Sequence, residues 1–245
     1  MTQPTITTAI GGTRSHDVVS HDEWIAARIE LLRNEKEFDR LRDELSQRRR
    51  DLPWEKVEKN YVFEGPNGKE TLAELFGDRN QLVVYHLMFS PAWSEACGSC
   101  SFWADNFNGI GVHLRHRDIS FLAISRAPLE KLEAYRKRMG WSFKWVSSSE
   151  SDFNFDYQAS HDPAAAKNGT AYYNYDQRRV SEETPGISVF YKDPETGDIY
   201  HTYSTYARGI DLVNGAYHYI DLTPKGRDEG ERIQSWLKRH DQYQD

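Results

Sequence analysis

Leu82–Asn106, LVVYHLMFSPAWSEACGSCSFWADN, joins an apolar run, a Ser90-Pro91 break and the chain's only two cysteines, Cys97 and Cys100. Val83, Val84, Leu87 and Met88 leave little alternation between Leu82 and Phe89. Such a run reads as a strand buried on both faces, as in a parallel sheet covered by helices. Ser90-Pro91 ends it, and Ser94 and Glu95 followed by small residues have the chemistry of a helix start. The Cys pair is therefore predicted in or beside a first helical turn at the end of a central strand.

Working outward, Ile119–Ser125 is a second compact apolar strand, and Pro128 opens a helix predicted to run to about Met139, where Gly140 stops it. Strand, Cys helix, strand, helix is a βαβα unit whose crossovers make parallel neighbours. The fold class is α/β. Gly109-Ile110-Gly111 is expected to kink the Cys helix rather than bind a nucleotide, since it lacks the third glycine and does not follow a strand. From Val146 to Glu183 the sequence holds no firm period and reads as an insertion. Gly186–Tyr191, a turn at Asp193–Gly197 and Ile199–Tyr203 form an antiparallel hairpin. Short C-terminal helices are predicted at Gly209–Ile220 and Glu231–Leu237.

Upstream, residues 1–18 are read as a flexible tail and residues 19–55 as a helical extension, leaving 56–245 for the main domain. Ser20 to Glu23 has capping-box spacing. The stripes Ile25, Ile29, Leu32 and Phe38, Leu41, Leu45 are interrupted by Asn34–Glu37, so two helices or one bent helix are expected. Arg48-Arg49-Arg50 beside Glu44 and Asp51 reads as a solvated helix end.

The chain is 245 residues long, 38% hydrophobic, with net charge −7 and basic residues interspersed with acids. That content supports an ordinary core and offers no nucleic-acid footprint. No apolar run has the length of a membrane span, and the N-terminus lacks a charged segment followed by an apolar one, so a cytoplasmic protein is expected. In a reducing compartment a close Cys pair is more often redox-active or metal-binding than a structural disulfide.

Cys97 and Cys100 at a helix start are near enough to bridge, and Cys97 lies nearer the helix N-terminus, where N–H groups favour an anion. It is the predicted nucleophile, and Cys100 resolves. Glu95 puts a like charge nearby. Arg126, at the end of the neighbouring parallel strand, is the candidate compensating cation. A strand beginning at Gly186 antiparallel to the other two would start at the same rim, which brings Thr184 and Pro185 opposite the Cys pair; a cis Thr184-Pro185 bond there could present backbone to a disulfide substrate.

With Cys97-Gly98-Ser99-Cys100 after a buried strand, the βαβ unit and Thr184-Pro185 before a final hairpin, the chain resembles the thioredoxin superfamily. The strings LVVYHLMFSPAW, CGSCSFWAD, ISRAPLEKLEAYRKRMGW and SDFNFDY resemble an uncharacterised thioredoxin-like family related in outline to the alkyl hydroperoxide reductases, over about residues 20–225. The resemblance implies a three-layer fold with a central mixed sheet, and a redox role by analogy. Trp93 lies four positions before Cys97, where thioredoxins have Trp directly before the cysteine, and Ala96 holds that place. The peroxiredoxin spacing counted from Pro91 puts Glu95 at the hydroxyl position and Gly98 at the Cys position, which argues against a peroxidase.

The expected function is thiol–disulfide exchange with protein or small-molecule partners and no cofactor, with a substrate groove at Trp93, Glu95, Arg126, Thr184 and Pro185. The alternatives are a copper or zinc protein using the pair with His86, His113, His116, His161 or His201, and a scaffold or homo-oligomer associating through the N-terminal helices. His86 alone reads as a hydrogen-bonded core histidine. Asp152–Asp156 imitates a calcium loop, but Tyr157 and Pro163 replace its required Gly and Glu.

Overall fold

The computed structural model of the protein describes residues 6–8, 16–230 and 232–244. Two compact units result, one holding the N-terminal residues through Leu52 with Tyr217–Asp228, the other the rest. In the first, Ile6–Thr8 (β1) and His16–Val18 (β2) pair antiparallel, with Ile6 opposite Val18. These two segments of the predicted tail are thus ordered in a ribbon; its remaining residues, 1–5 and 9–15, lie outside the described ones. His21–Arg50 (α1) is one continuous helix of 30 residues, not two. Ser20 and Glu23 cap it reciprocally, as the spacing required. The polar Asn34–Glu37 stretch contains no Gly or Pro, and Arg28–Glu35 (2.7 Å) and Arg40–Glu37 (2.8 Å) ion pairs carry the helix through it.

The second unit opens with Glu55–Lys56 (β3), Val62–Gly65 (β4), Gly68–Thr71 (β5) and Leu72–Leu75 (α2), the last capped by Thr71 and Glu74. Gln81–His86 (β6) leads to Gly98–Ala104 (α3), Gly111–Arg115 (α4), Ile119–Ser125 (β7), Leu129–Arg138 (α5) and Lys144–Ser147 (β8). Then come Phe153–Asp156 (α6), Pro163–Asn168 (α7), the ribbon Ala171–Tyr173 (β9) with Asp176–Arg178 (β10), and the hairpin Gly186–Lys192 (β11) with Ile199–Tyr206 (β12); Gly215–Asp221 (α8) follows in the chain and belongs from Tyr217 onward to the first unit.

Eight strands form one mixed sheet in the order β3-β12-β11-β6-β7-β8-β4-β5. β6, β7 and β8 run parallel, and β11 is antiparallel to β6, with Gly186 opposite His86. Parallel strands flanked at β6 by an antiparallel hairpin, with the Cys helix after the central strand, are the thioredoxin-like arrangement. β7 begins and ends as the sequence predicts. β8, by contrast, takes Val146 and Ser147 out of the expected insertion, because Trp145 and Val146 are both fully buried on opposite faces.

Alternation along β6 divides the core. Tyr85 faces one layer, where it meets Phe107 at 4.9 Å between ring centroids and Phe107 meets Phe121 at 5.0 Å. Leu82, Val84 and His86 face the other, with Leu122, Ile124, Val146, Phe190 and Phe153. His86 is the hydrogen-bonded core histidine the sequence suggested, through Nε2 alone, its buried Nδ1 having no hydrogen-bond partner among the described residues. Its Nε2 meets Ser188 Oγ at 2.9 Å, Ser204 Oγ donates to Ser188 Oγ at 2.9 Å, and His201 Nε2 lies 2.7 Å from Ser204 Oγ. Burial holds the His86 pKa down at about 3, so its ring is neutral.

The chain leaves the Cys helix after Ala104 and passes through Gly109 at φ +86° before α4, so this is a break between two helices rather than a kink. At the C-terminus, Ala207–Val213 is 3-10 helix, and Asn214 in extended backbone separates it from α8, so the predicted Gly209–Ile220 helix is two pieces. The second predicted helix does not form: residues 232–237 are turns, with Gln234 at φ +61°. Among the described residues no helix is long and apolar enough to cross a membrane.

Phe153 anchors the insertion, fully buried between Tyr61, Phe63, Tyr157 and Phe190. Phe153→Ala should lower the unfolding free energy by about 3–5 kcal/mol, the cost of an unfilled aromatic cavity; urea denaturation checks it, and a loss under 1 kcal/mol would mean the insertion packs independently of the sheet.

Candidate active site

Cys97 is the N-cap residue of α3, and its N–H donates to the Met88 carbonyl at 3.0 Å, which fastens the helix start to the chain leaving β6. The Cys97 carbonyl accepts from Ser101 N–H at 3.0 Å and Ser101 Oγ at 2.9 Å. Ser101 Oγ also meets Tyr135 OH at 3.0 Å. Both cysteines are free thiols, Cys97 partly exposed and Cys100 only 2% exposed.

Their acidities are pushed apart. The Cys100 thiol donating to Cys97, followed by the Cys100 and Ser99 N–H groups and the Ser99 hydroxyl, brings Cys97 down to about 6 despite partial burial. Burial pushes Cys100 well above the ordinary thiol range, and the neighbouring Cys97 charge adds to this. The groups that hold the thiolate are thus donors of the helix turn itself.

Arg126 is not the cation the sequence assigned. It donates to Glu183 Oε1 at 2.9 Å and lies over the Phe155 ring at 4.6 Å. Glu183 is 1% exposed and also accepts from Ser160 Oγ at 2.7 Å, and a buried carboxylate left unpaired would be costly, so Arg126 is committed to it. Burial still raises the Glu183 pKa, opposed by Ser160 and Arg126.

Glu95 is neutralised from a direction the sequence did not suggest. It pairs with Arg138 on α5 and with Arg239 at 3.1 Å, and these contacts lower its pKa. Arg138 also reaches Asp241 at 2.6 Å. Arg239 makes two further bonds, to the Ala96 carbonyl and to Tyr135 OH, each at 2.7 Å. The C-terminal segment is therefore a strap fixing the residue before Cys97, the charge two residues before it, and the tyrosine behind Ser101.

The groove predicted from a cis proline is absent. Among the described residues there are no cis peptide bonds, so Thr184-Pro185 is trans. Trans is the default by about 0.5–1 kcal/mol, and Thr184 is already held by the insertion. Its N–H donates to Ala159 O and its hydroxyl to Gln158 O, both at 2.9 Å, so the His161 Nε2–H donates to that same hydroxyl at 2.9 Å. Pro185 is tied to the Cys region indirectly. Its carbonyl accepts from Tyr173 OH at 2.9 Å, and Tyr173, whose pKa burial raises to about 12, stands within electrostatic reach of Cys100. Trp93 is part-buried in the turn after Ser90, with its carbonyl accepting from Lys131 Nζ at 3.0 Å.

Of the predicted residues, Cys97, Cys100 and Glu95 share one neighbourhood, whereas Arg126 and Thr184 belong to the clamp on the insertion. Sequence reading missed Ser101, Tyr135, Tyr173, Arg138 and Arg239. Only Ser101 carried a local signal, a hydroxyl four residues after Cys97, where it can bond back to the carbonyl. For the metal alternative, no three His, Cys, Asp or Glu side chains converge among the described residues.

A family model described as a bacterial protein of unknown function (DUF899) matches residues 13–243. No curated relative matches the chain. Similar solved structures include a PrxQ mutant from Xylella fastidiosa, 12% identical over 69% of this chain and 96% of that one, TM-score 0.44. Peroxidoxin BcpB from Mycobacterium tuberculosis is 13% identical over 68% and 96%, TM-score 0.43. The mitochondrial 2-Cys peroxiredoxin of Plasmodium falciparum is 14% identical over 68% and 95%, also with TM-score 0.43.

Arg239→Leu should leave Glu95 less compensated and raise the Cys97 pKa by roughly half a unit, the size of one partly screened charge. The pH dependence of iodoacetamide labelling reads this directly, and Glu95→Gln in the same protein should restore the original profile. An unchanged profile would mean that the strap is mechanical only.

Proposed function

The chain belongs to the DUF899 family of bacterial proteins of unknown function, and we propose that it is a thiol–disulfide oxidoreductase. One observation carries the reading: a solvent-reachable thiol at a helix N-cap with its pKa lowered to about 6, hydrogen-bonded by a buried thiol whose pKa is raised. A structural pair would have no use for that asymmetry, and exchange requires it.

The Cys97 thiolate attacks one sulfur of a substrate disulfide, forming a mixed disulfide and expelling the other sulfur as a thiolate that takes a proton from water. Cys100 then loses its proton and attacks Cys97 Sγ, forming the Cys97–Cys100 disulfide and releasing the second substrate thiol. One disulfide is reduced, the protein dithiol is oxidised, and two electrons pass. An outside dithiol reverses both steps to regenerate the protein: one thiol opens the Cys97–Cys100 bridge to a mixed disulfide at Cys97 with a proton passing to Cys100, and the second displaces Cys97 as thiolate and leaves as the outside disulfide. With Pro185 trans, the substrate class is protein or small-molecule disulfides that reach Cys97 directly rather than by strand pairing at a cis-proline edge.

Labelling of Cys97 should rise with pH through a midpoint near 6, because only the thiolate reacts. The Cys97–Cys100 midpoint potential, read in glutathione buffers by alkylation mass shift, should fall by about 60 mV per pH unit below that pKa and by about 30 mV above it, as the reduced form goes from binding two protons to one. Absence of a bridge under any oxidant that leaves the fold intact would sink the reading.

The roles of the two sulfurs separate by substitution. Cys100→Ser should trap Cys97 in long-lived mixed disulfides with added glutathione disulfide, whereas Cys97→Ser should trap none, since Cys100 is buried and weakly acidic. The reverse pattern would exchange the assignments.

A further inference from the structure

α1 buries no residue along its 30-residue length, about 45 Å at the rise of an α-helix. A helix of this kind gains nothing from a core, and the ion pairs along it contribute only tenths of a kcal/mol each. Its composition is nevertheless not that of a solvated rod. Trp24, Leu31, Phe38 and Leu45 are 54%, 52%, 64% and 49% exposed, and Leu52, just past the helix end, is 43% exposed. They recur at every seventh residue, a spacing a free surface does not need.

Taking those five as the first seam position of a heptad fixes the other positions. The second seam position falls on Ala27, Asn34, Leu41 and Arg48. The flanking position before each first-seam residue of the helix is a glutamate without exception: Glu23, Glu30, Glu37 and Glu44. The opposite flank is Arg28, Glu35, Arg42 and Arg49. Acid on one flank and mostly base on the other, around an apolar seam, is the pattern by which coiled-coil partners recognise each other.

We propose that α1 pairs with α1 of a second copy of this chain as a parallel two-stranded coiled coil. The charges choose both the partner and the direction. In a parallel pair each glutamate of the first flank meets the opposite flank of the next heptad. Glu23 meets the partner's Arg28, Glu37 the partner's Arg42 and Glu44 the partner's Arg49, with one repulsive contact between Glu30 and the partner's Glu35. In an antiparallel pair like flanks meet: Glu30 faces the partner's Glu44, Glu37 the partner's Glu37, Glu35 the partner's Glu35 and Arg28 the partner's Arg42. Self-association in parallel is therefore favoured over the reverse. Asn34 supplies a single amide in the seam that can bond its own copy and penalise slipped registers. Arg48 lies in the last turn, where its stem packs and its charge reaches water. The flank residues now pair within the helix, Arg28 with Glu35, Glu30 with Arg33, Glu37 with Arg40, Arg42 with Asp39 and Glu44 with Arg40 and Arg48; these pairs are exposed and exchange at little cost, whereas Glu23 is shared with the Ser20 cap.

Sedimentation equilibrium of the full reduced chain should give twice 28.5 kDa. Leu31→Asp with Phe38→Asp should weaken association at least about a hundredfold, while leaving the Cys97 labelling profile unchanged as a check on the fold. Direction is read with Leu31→Cys in a chain also carrying Cys97→Ser and Cys100→Ser. A parallel pair brings position 31 to its own copy, so mild oxidation should link the dimer covalently. A monomer at all concentrations overturns the proposal, as does a dimer that survives the double substitution. Linking seen only when Leu31→Cys and Leu41→Cys chains are mixed would establish an antiparallel pair and overturn it equally.

Discussion

The hydrogen bond from Cys97 N–H to the Met88 carbonyl fixes where the Cys helix starts relative to the central strand. Every other property of the site follows from that anchor. Because Cys97 is the cap and not a helical residue, the N–H groups of Ser99 and Cys100 are unclaimed by the helix and are available to its sulfur. One turn further on, Cys100 is carried beneath the surface, against Tyr85, whose hydroxyl donates to its carbonyl. A single residue of register would place both sulfurs in the same environment and remove the difference between them.

That local asymmetry sits inside two clamps of opposite character. One is ionic and buried: Arg126, Glu183 and Ser160 hold the insertion against the end of β7. The other is ionic and nearer solvent: Arg138 and Arg239 share Glu95, with Asp241 completing the group. The buried clamp is structural, since breaking one partner would strand a charge in the interior. The outer one compensates the Glu95 charge and holds the chain entering Cys97 by the Ala96 carbonyl.

What was legible in the sequence follows from locality. The strands at Leu82 and Ile119, the Cys helix, the N-terminal cap and the final hairpin each announce themselves within a window of about ten residues, through apolar runs, capping residues and turn glycines. The Val146–Glu183 region did not, because its order comes from tertiary contacts: Phe153 in the core, Thr184 bonded to Gln158, and Tyr173 reaching Pro185. The expectation for Arg126 rested on topology alone, and no sequence rule shows that a carboxylate 57 residues away, Glu183, is buried and claims the guanidinium. Reading Asn34–Glu37 as a break overlooked that straight-chain polar residues sustain a helix as well as apolar ones do.

The strap also bears on the order in which the molecule is completed. The bond from Arg239 to the Ala96 carbonyl spans 143 residues of sequence, whereas the cap at Cys97 closes with Met88, a few residues away. Loop-closure entropy favours the near contact first and defers the distant one. During that interval the Ala96 carbonyl and the Tyr135 hydroxyl lack their Arg239 donor, and the turn into Cys97 is held by the Met88 carbonyl. The C-terminal segment is in this sense a late fastening, laid over a turn that has already closed on itself.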